Sequence, residues 1–344
     1  MVTKRARIAL LAALALAASG CGKFGKSSES TDGGPYLYVA SGATYAGNGI
    51  TPSTASNTIV RYTLDGTFDK VVYDFNANPG DQPAAMIDYD DESLLVLVEN
   101  AGGGRRVDRV MKDGSSDSVF ISSSYVTGAI VRALIPTFDG GWLISRTGLI
   151  EKFNSARVRT PSTGVAAWVN APAGSCATST TLIPAVVESD QGNIIYAHAA
   201  TSQNRIGMIK KTGYLAAADC ITATSAPTAN HFPTTMLMHS VSGKLLVAFG
   251  NNTGGIHEIY PYTVTSTTIT AGSSAYNNPS VLAGISSMAE LPDGTIAVAS
   301  ALSTMNTVER FSVDSSTGAL TRIGTHYILP SVYTRSVSAM LVGN

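Results

Sequence analysis

Polar side chains that could do chemistry recur at matching positions along this chain. Gly141, Gly192, Gly243 and Gly294 stand 51 residues apart, with looser copies of the same stretch near Glu92 and Gly343. Four residues before these positions stand Asp88, Thr137, Glu188, His239, Glu290 and Ala339. Carboxylates in such a column could hold a hard divalent cation such as Ca²⁺ through oxygen. His239 beside acidic neighbours could instead suit a transition metal. The alternative for the same column is a polar ring hydrogen-bonded to water. A second set belongs to the opposite end of the strands: Arg132 and Arg335, then Glu99, Asn100, Arg146, His198 and Asn251, with Tyr45 in a long neighbouring loop. Arginines converging on a concave mouth suit a carboxylate or phosphate; the alternative is that each pairs with a local acid.

Catalytic signatures are missing. There is no G-x-S-x-G, no H-E-x-x-H and no phosphate loop. Gly102-Gly103-Gly104 lacks the following lysine, and Asp88-Tyr89-Asp90-Asp91-Glu92 lacks the glycine and distal glutamate of a calcium loop. The densest basic patch, Arg105-Arg106-Val107-Asp108-Arg109, is read as a solvated strand. His231, His257 and His326 have no partner at ligand spacing. With 23 basic and 24 acidic residues, no nucleic-acid partner is expected.

The elements that position these columns are short strands joined by repeated turns. Phe138-Asp139-Gly140-Gly141-Trp142-Leu143-Ile144 returns as Ser189-Asp190-Gln191-Gly192-Asn193-Ile194-Ile195 and as Leu291-Pro292-Asp293-Gly294-Thr295-Ile296-Ala297. Asp and Ser bond the turn's own backbone, and glycine permits φ > 0. A period near fifty with several strands per copy marks an all-β propeller. A four-stranded blade cannot bury either apolar face alone, so each face must pack on the next blade. The repeats predict blades over Gln82–Ser122, Ala129–Trp168, Leu182–Thr222, Pro233–Thr270 and Ile285–Tyr327. A first copy, starting at Tyr36–Ser41, lacks its innermost strand. Arg335–Val342 is expected to supply it, completing a six-bladed ring over residues 35–344 with no open sheet edge.

The first twenty residues read as an export signal. Lys4, Arg5 and Arg7 precede an apolar run from Ile8 to Ala18 that is too short for a bilayer. The ending Ala18-Ser19-Gly20-Cys21 resembles a bacterial lipoprotein signal, which implies lipid on Cys21 and membrane anchoring at the cell envelope. Residues 21–34, rich in Gly, Ser and Lys, read as a flexible tether. With Cys21 lipidated, Cys176 and Cys220 are left as a disulfide pair in an oxidising compartment.

Carried by turns such as Leu291-Pro292-Asp293-Gly294-Thr295-Ile296-Ala297-Val298, the body resembles the six-bladed TolB-like propeller superfamily, which includes gluconolactonase-like and NHL-repeat proteins. The gluconolactonase resemblance implies a catalytic cation at the channel mouth, with Glu99, Asn100 and Asn251 nearest in type to its ligands. The expected function is a monomeric, non-enzymatic lipoprotein binding a protein, peptide or glycan on its loop-rich face. Two alternatives are a metal-dependent hydrolase or lactonase in the channel mouth and an outer-membrane assembly scaffold.

Overall fold

The computed structural model describes residues 34–344, apart from the segments 43–56, 101–103, 127–130, 161–175, 177–181, 200–203, 212–216, 228–230, 252–256, 301–306 and 329–336 and positions 79, 116, 124, 125, 138, 279 and 283. The expected leader, Cys21 and the tether up to residue 33, together with Tyr45 and Arg335, lie outside the described residues. No helix among the described residues is long and apolar enough to cross a membrane.

Six antiparallel sheets form the blades of a propeller. Blade 2 runs Asp81–Asp90, Ser93–Asn100, Arg105–Met111 and Asp117–Ile121, from innermost strand to outermost. Blade 3 runs Val131–Pro136, Trp142–Arg146, Leu149–Phe153 and Arg159–Thr160; blade 4 runs Val186–Glu188, Ile194–His198, Arg205–Ile209 and Cys220–Ser225. Blade 5 runs His231–His239, Lys244–Asn251, Glu258–Val264 and Ile269–Ala271, and Tyr276–Asn277 also pairs with its third strand. Blade 6 runs Ile285–Glu290, Ile296–Ser300, Thr307–Val313 and Leu320–Ile328.

Blade 1 is built from both ends of the propeller. Tyr36–Ser41 pairs with Thr58–Thr63 on one side and with Val337–Gly343 on the other, in the register Tyr36↔Gly343, Tyr38↔Leu341 and Ala40↔Ala339. Phe68–Asp74 is its outer strand. Apolar burial follows the ring. Leu37, Val39, Tyr62 and Met340 of blade 1 pack with Ala297, Ala299 and Val308 of blade 6, so the last blade meets the first. Five further clusters fill the other five junctions, for example Leu95 and Leu97 with Ile144 and Phe153, or Val247 and Phe249 with Ile195 and Ala197. Polar bonds add to the closure: Met340 N donates to Ser287 Oγ at 2.9 Å, and Ser338 Oγ to Pro83 O at 2.7 Å.

Two expectations need correction. The repeat in blade 3 is offset by one residue, because the positive-φ glycine there is Gly140 (φ 79°), not Gly141. Gly141 is required for a different reason: a Cβ on it would stand 2.2 Å from Phe153 O. Strand pairing accordingly sets Pro136, not Thr137, level with Glu188 and Glu290. The outer strand of blade 3 is described at Arg159–Thr160, and the rest of its expected span, to Trp168, lies outside the described residues. The basic stretch at Arg105–Arg109 is not a solvated strand, since Val107 is fully buried and Asp108 is 1 % exposed.

Candidate functional site

Strand alternation sorts the polar residues at the upper end of blade 2, where the second strand ends and the third begins. Leu95, Leu97 and Val107 face blade 3, so Glu99 and Arg105 lie on that side. Val96, Val98 and Val110 face blade 1, which sends Asn100, Arg106 and Asp108 the other way. Two neighbours in the chain, Arg105 and Arg106, therefore serve different clusters.

On the blade 3 side, Glu99 is held from three directions. Arg132 Nη1 donates to Glu99 Oε2 at 3.0 Å, while Val131 N (3.2 Å) and Arg105 Nε (3.4 Å) reach Oε1. Val131 pairs with Arg146, which continues the seam. Arg146 Nη2 and Arg159 Nη1 both donate to Glu151 Oε1, at 3.2 and 3.1 Å. Glu151 is 1 % exposed, and its Oε2 has no hydrogen-bond partner among the described residues. Burial raises its pKa above the ordinary glutamate value, and the two arginines offset that only in part. Arg132 and Arg146 thus share one seam, each paired with an acid.

On the blade 1 side, Arg106 bridges two buried aspartates. Its Nε lies 2.8 Å from Asp108 Oδ1, and its Nη2 lies 2.7 Å from Asp81 Oδ2 and 2.8 Å from Asp108 Oδ2. Asn100 Nδ2 donates to Asp81 Oδ1 at 2.5 Å. Burial alone would lower the Arg106 pKa, but hydrogen bonds and charge from both aspartates more than offset it and raise the value. This cluster lines an open cavity of about 610 Å³.

His198 ends the second strand of blade 4 and is 1 % exposed; Asn251 ends that of blade 5, its side chain outside the described residues. His231, given no role from sequence, has Nδ1 3.2 Å from Glu258 Oε2. Glu258 also accepts from Tyr260 OH at 2.9 Å and from Asn277 Nδ2 at 2.5 Å. Burial and nearby His231 lower the pKa of His257. These partners converge only through the sheet, so linear spacing carried no signal for them. Arg159, Glu151 and Asp81 were missed for the same reason.

At the lower end, the column residues are engaged locally. Asp88 Oδ1 lies 2.6 Å from Lys112 Nζ. His239 accepts at Nδ1 from Ser242 N (3.2 Å), which leaves Nε2–H to donate to Gly294 O (2.9 Å) across the blade 5–6 junction. Glu290 accepts from Ser240 N and Oγ, at 2.8 and 2.6 Å. Glu188 is half-buried beside Gly192. Among the described residues, no three His, Cys, Asp or Glu side chains are grouped to hold a metal ion. The cation implied by the gluconolactonase resemblance fits no better: Glu99 is already ligated by two arginines and an N–H, and the Asn100 amide is directed to Asp81.

No known protein family matches the chain, and no curated protein does. Solved structures match it by shape. A protein from Lactobacillus plantarum has a TM-score of 0.56 at 12 % identity, with 90 % of this chain and 99 % of that one covered. A Bacteroides caccae protein of unknown function has a TM-score of 0.55 at 14 % identity over 90 % and 99 %. The Pseudomonas aeruginosa periplasmic gluconolactonase has 0.53 at 14 % over 90 % and 85 %. The chain is a six-bladed β-propeller. At these identities the likeness carries the fold and no chemistry.

Proposed function

We propose that this chain is an exported protein held at a bacterial envelope by lipid on Cys21, and that its propeller binds a protein, peptide or glycan on the upper face. The observation that carries the binding half is the state of Glu99. A carboxylate clamped by Arg105, Arg132 and the Val131 N–H belongs to a rigid recognition surface and is poorly placed to act as a metal ligand or general base. The Cys176–Cys220 disulfide supports an oxidising compartment.

A photo-cross-linker at Gly104, on the upper face, should trap a partner in cells, whereas one at exposed Val241 in a lower turn should not. Adducts at Val241 alone, or equal adducts at both, would count against that face. Replacing Cys21 with Ala should release the protein from the membrane fraction. A second reading, a metal-dependent lactonase, draws on the likeness to the Pseudomonas aeruginosa gluconolactonase. A stoichiometric divalent ion that is lost in Glu99→Gln would favour it over binding.

A further inference from the structure

We propose that the open cavity on the blade 1 side of blade 2 binds a neutral or amino sugar through adjacent hydroxyls. The proposal rests on the ligand-binding reading of the upper face and narrows its ligand class. Asp81 and Asp108, each 1 % exposed, line the cavity of about 610 Å³ together with Arg106. The two carboxylates occupy Nε and Nη2 of the guanidinium. Nη1 has no hydrogen-bond partner among the described residues. Because the guanidinium is planar and both carboxylates are fixed, the two Nη1 protons have a set direction before any ligand arrives. Asp81 accepts one side-chain bond at each oxygen, from Asn100 and from Arg106, and each carboxylate oxygen has two lone pairs.

This is a matched donor and acceptor pair. Neighbouring sugar hydroxyls each donate and accept, so one can accept from Arg106 Nη1 while the next donates to Asp81. Val119, 58 % exposed and paired with Asp108, offers an apolar surface to the C–H face of a ring. Charge then selects among sugars. Two aspartates and one arginine leave one net negative charge, which repels a sugar acid or phosphate and attracts an ammonium. The arginine-rich seam on the opposite face of the same blade has the reverse balance, four arginines to two glutamates, so the two clusters would not compete for one ligand.

The test is saturation-transfer NMR on the full chain, with methyl β-glucoside, glucosamine and glucuronate as probes. The first two should show saturable transfer at Kd on the order of 1 mM, with glucuronate at least about tenfold weaker. Val119→Arg, at an exposed outer-strand position paired with Asp108, sets a guanidinium over the two carboxylates and fills the cavity, and should abolish the transfer. Arg106→Gln should weaken it at least about tenfold; should that variant fail to fold, Val119→Arg decides alone. Transfer that survives Val119→Arg, or glucuronate binding as tightly as glucosamine, would overturn the site. No transfer from any probe, with upper-face cross-linking at Gly104 intact, would overturn the sugar class and leave the ligand-binding reading standing. Loss of both would sink the two together.

Discussion

Lys112 is the most informative place to perturb the ring. It is 5 % exposed, and its ammonium lies 2.6 Å from Asp88 Oδ1, 2.9 Å from Asp90 O and 2.8 Å from the Asn344 main-chain oxygen. One side chain on blade 2 therefore fastens the end of the strand that closes blade 1. Lys112→Met keeps the apolar stem and deletes the three contacts. Hydrogen bonds to a charged group are each worth about 1.5–3 kcal/mol. Asp88 is 38 % exposed at its side chain, so water recovers part of that loss. The expected destabilisation is about 2–4 kcal/mol. With an m value of about 3 kcal/mol/M for a body of this size, the urea midpoint should fall by about 1 M. Hydrogen exchange should locate the damage: amides of Met340 and Val342 should lose protection before those of Ile195 in blade 4. Adding Asp88→Asn should recover less than half of the loss, because the main-chain oxygens of Asp90 and Asn344 stay unpaired. A midpoint shift under about 0.2 M, or uniform loss of protection, would refute the anchoring argument.

Two further outcomes follow from the same geometry. Burial raises the Glu151 pKa above its usual 4.5, so in the window just above 4.5 the folded chain holds a proton that the unfolded chain has released. That contribution is fully present below 4.5 and is lost as pH rises through the folded value. Asp88, also raised by burial, has the same sign, so the measurement is a difference: the urea midpoint of wild type minus that of Glu151→Gln should fall as pH rises from 4.5, and a flat or rising difference would contradict the assignment. Cys176 and Cys220, 44 residues apart, tie the blade 3–4 connection to the outer strand of blade 4. Replacing both with Ser should cost about 3–4 kcal/mol, read by denaturation under oxidising conditions. Reducing the wild type should give the same midpoint as the double variant.

Much of the architecture was legible because a blade is a local object. Turns such as Leu291–Thr295 close by short-range bonds, Gly294 N to Leu291 O at 2.9 Å, and apolar alternation assigns each residue to a face. The missing first strand of blade 1 predicted where the tail had to go, and Tyr36↔Gly343 is that pairing. The offset in blade 3 was illegible, since Gly140 and Gly141 are adjacent and only φ and the approach of Phe153 O tell their roles apart.

Chemistry at the blade ends was decided in three dimensions. Sequence alone determined that Arg132, Glu99 and Arg146 stand at strand ends on one face. It could not say that Glu99 would be bound by arginines from two blades, or that Arg106 would join Asp81 and Asp108 beside a cavity. The physical reason is range. Periodicity reports which face a residue takes within its own strand, whereas ion pairing depends on which side chains the next strand and the next blade bring within about 3 Å. Those partners are 6 to 33 residues away along the chain for Glu99, and only the closed ring makes them neighbours.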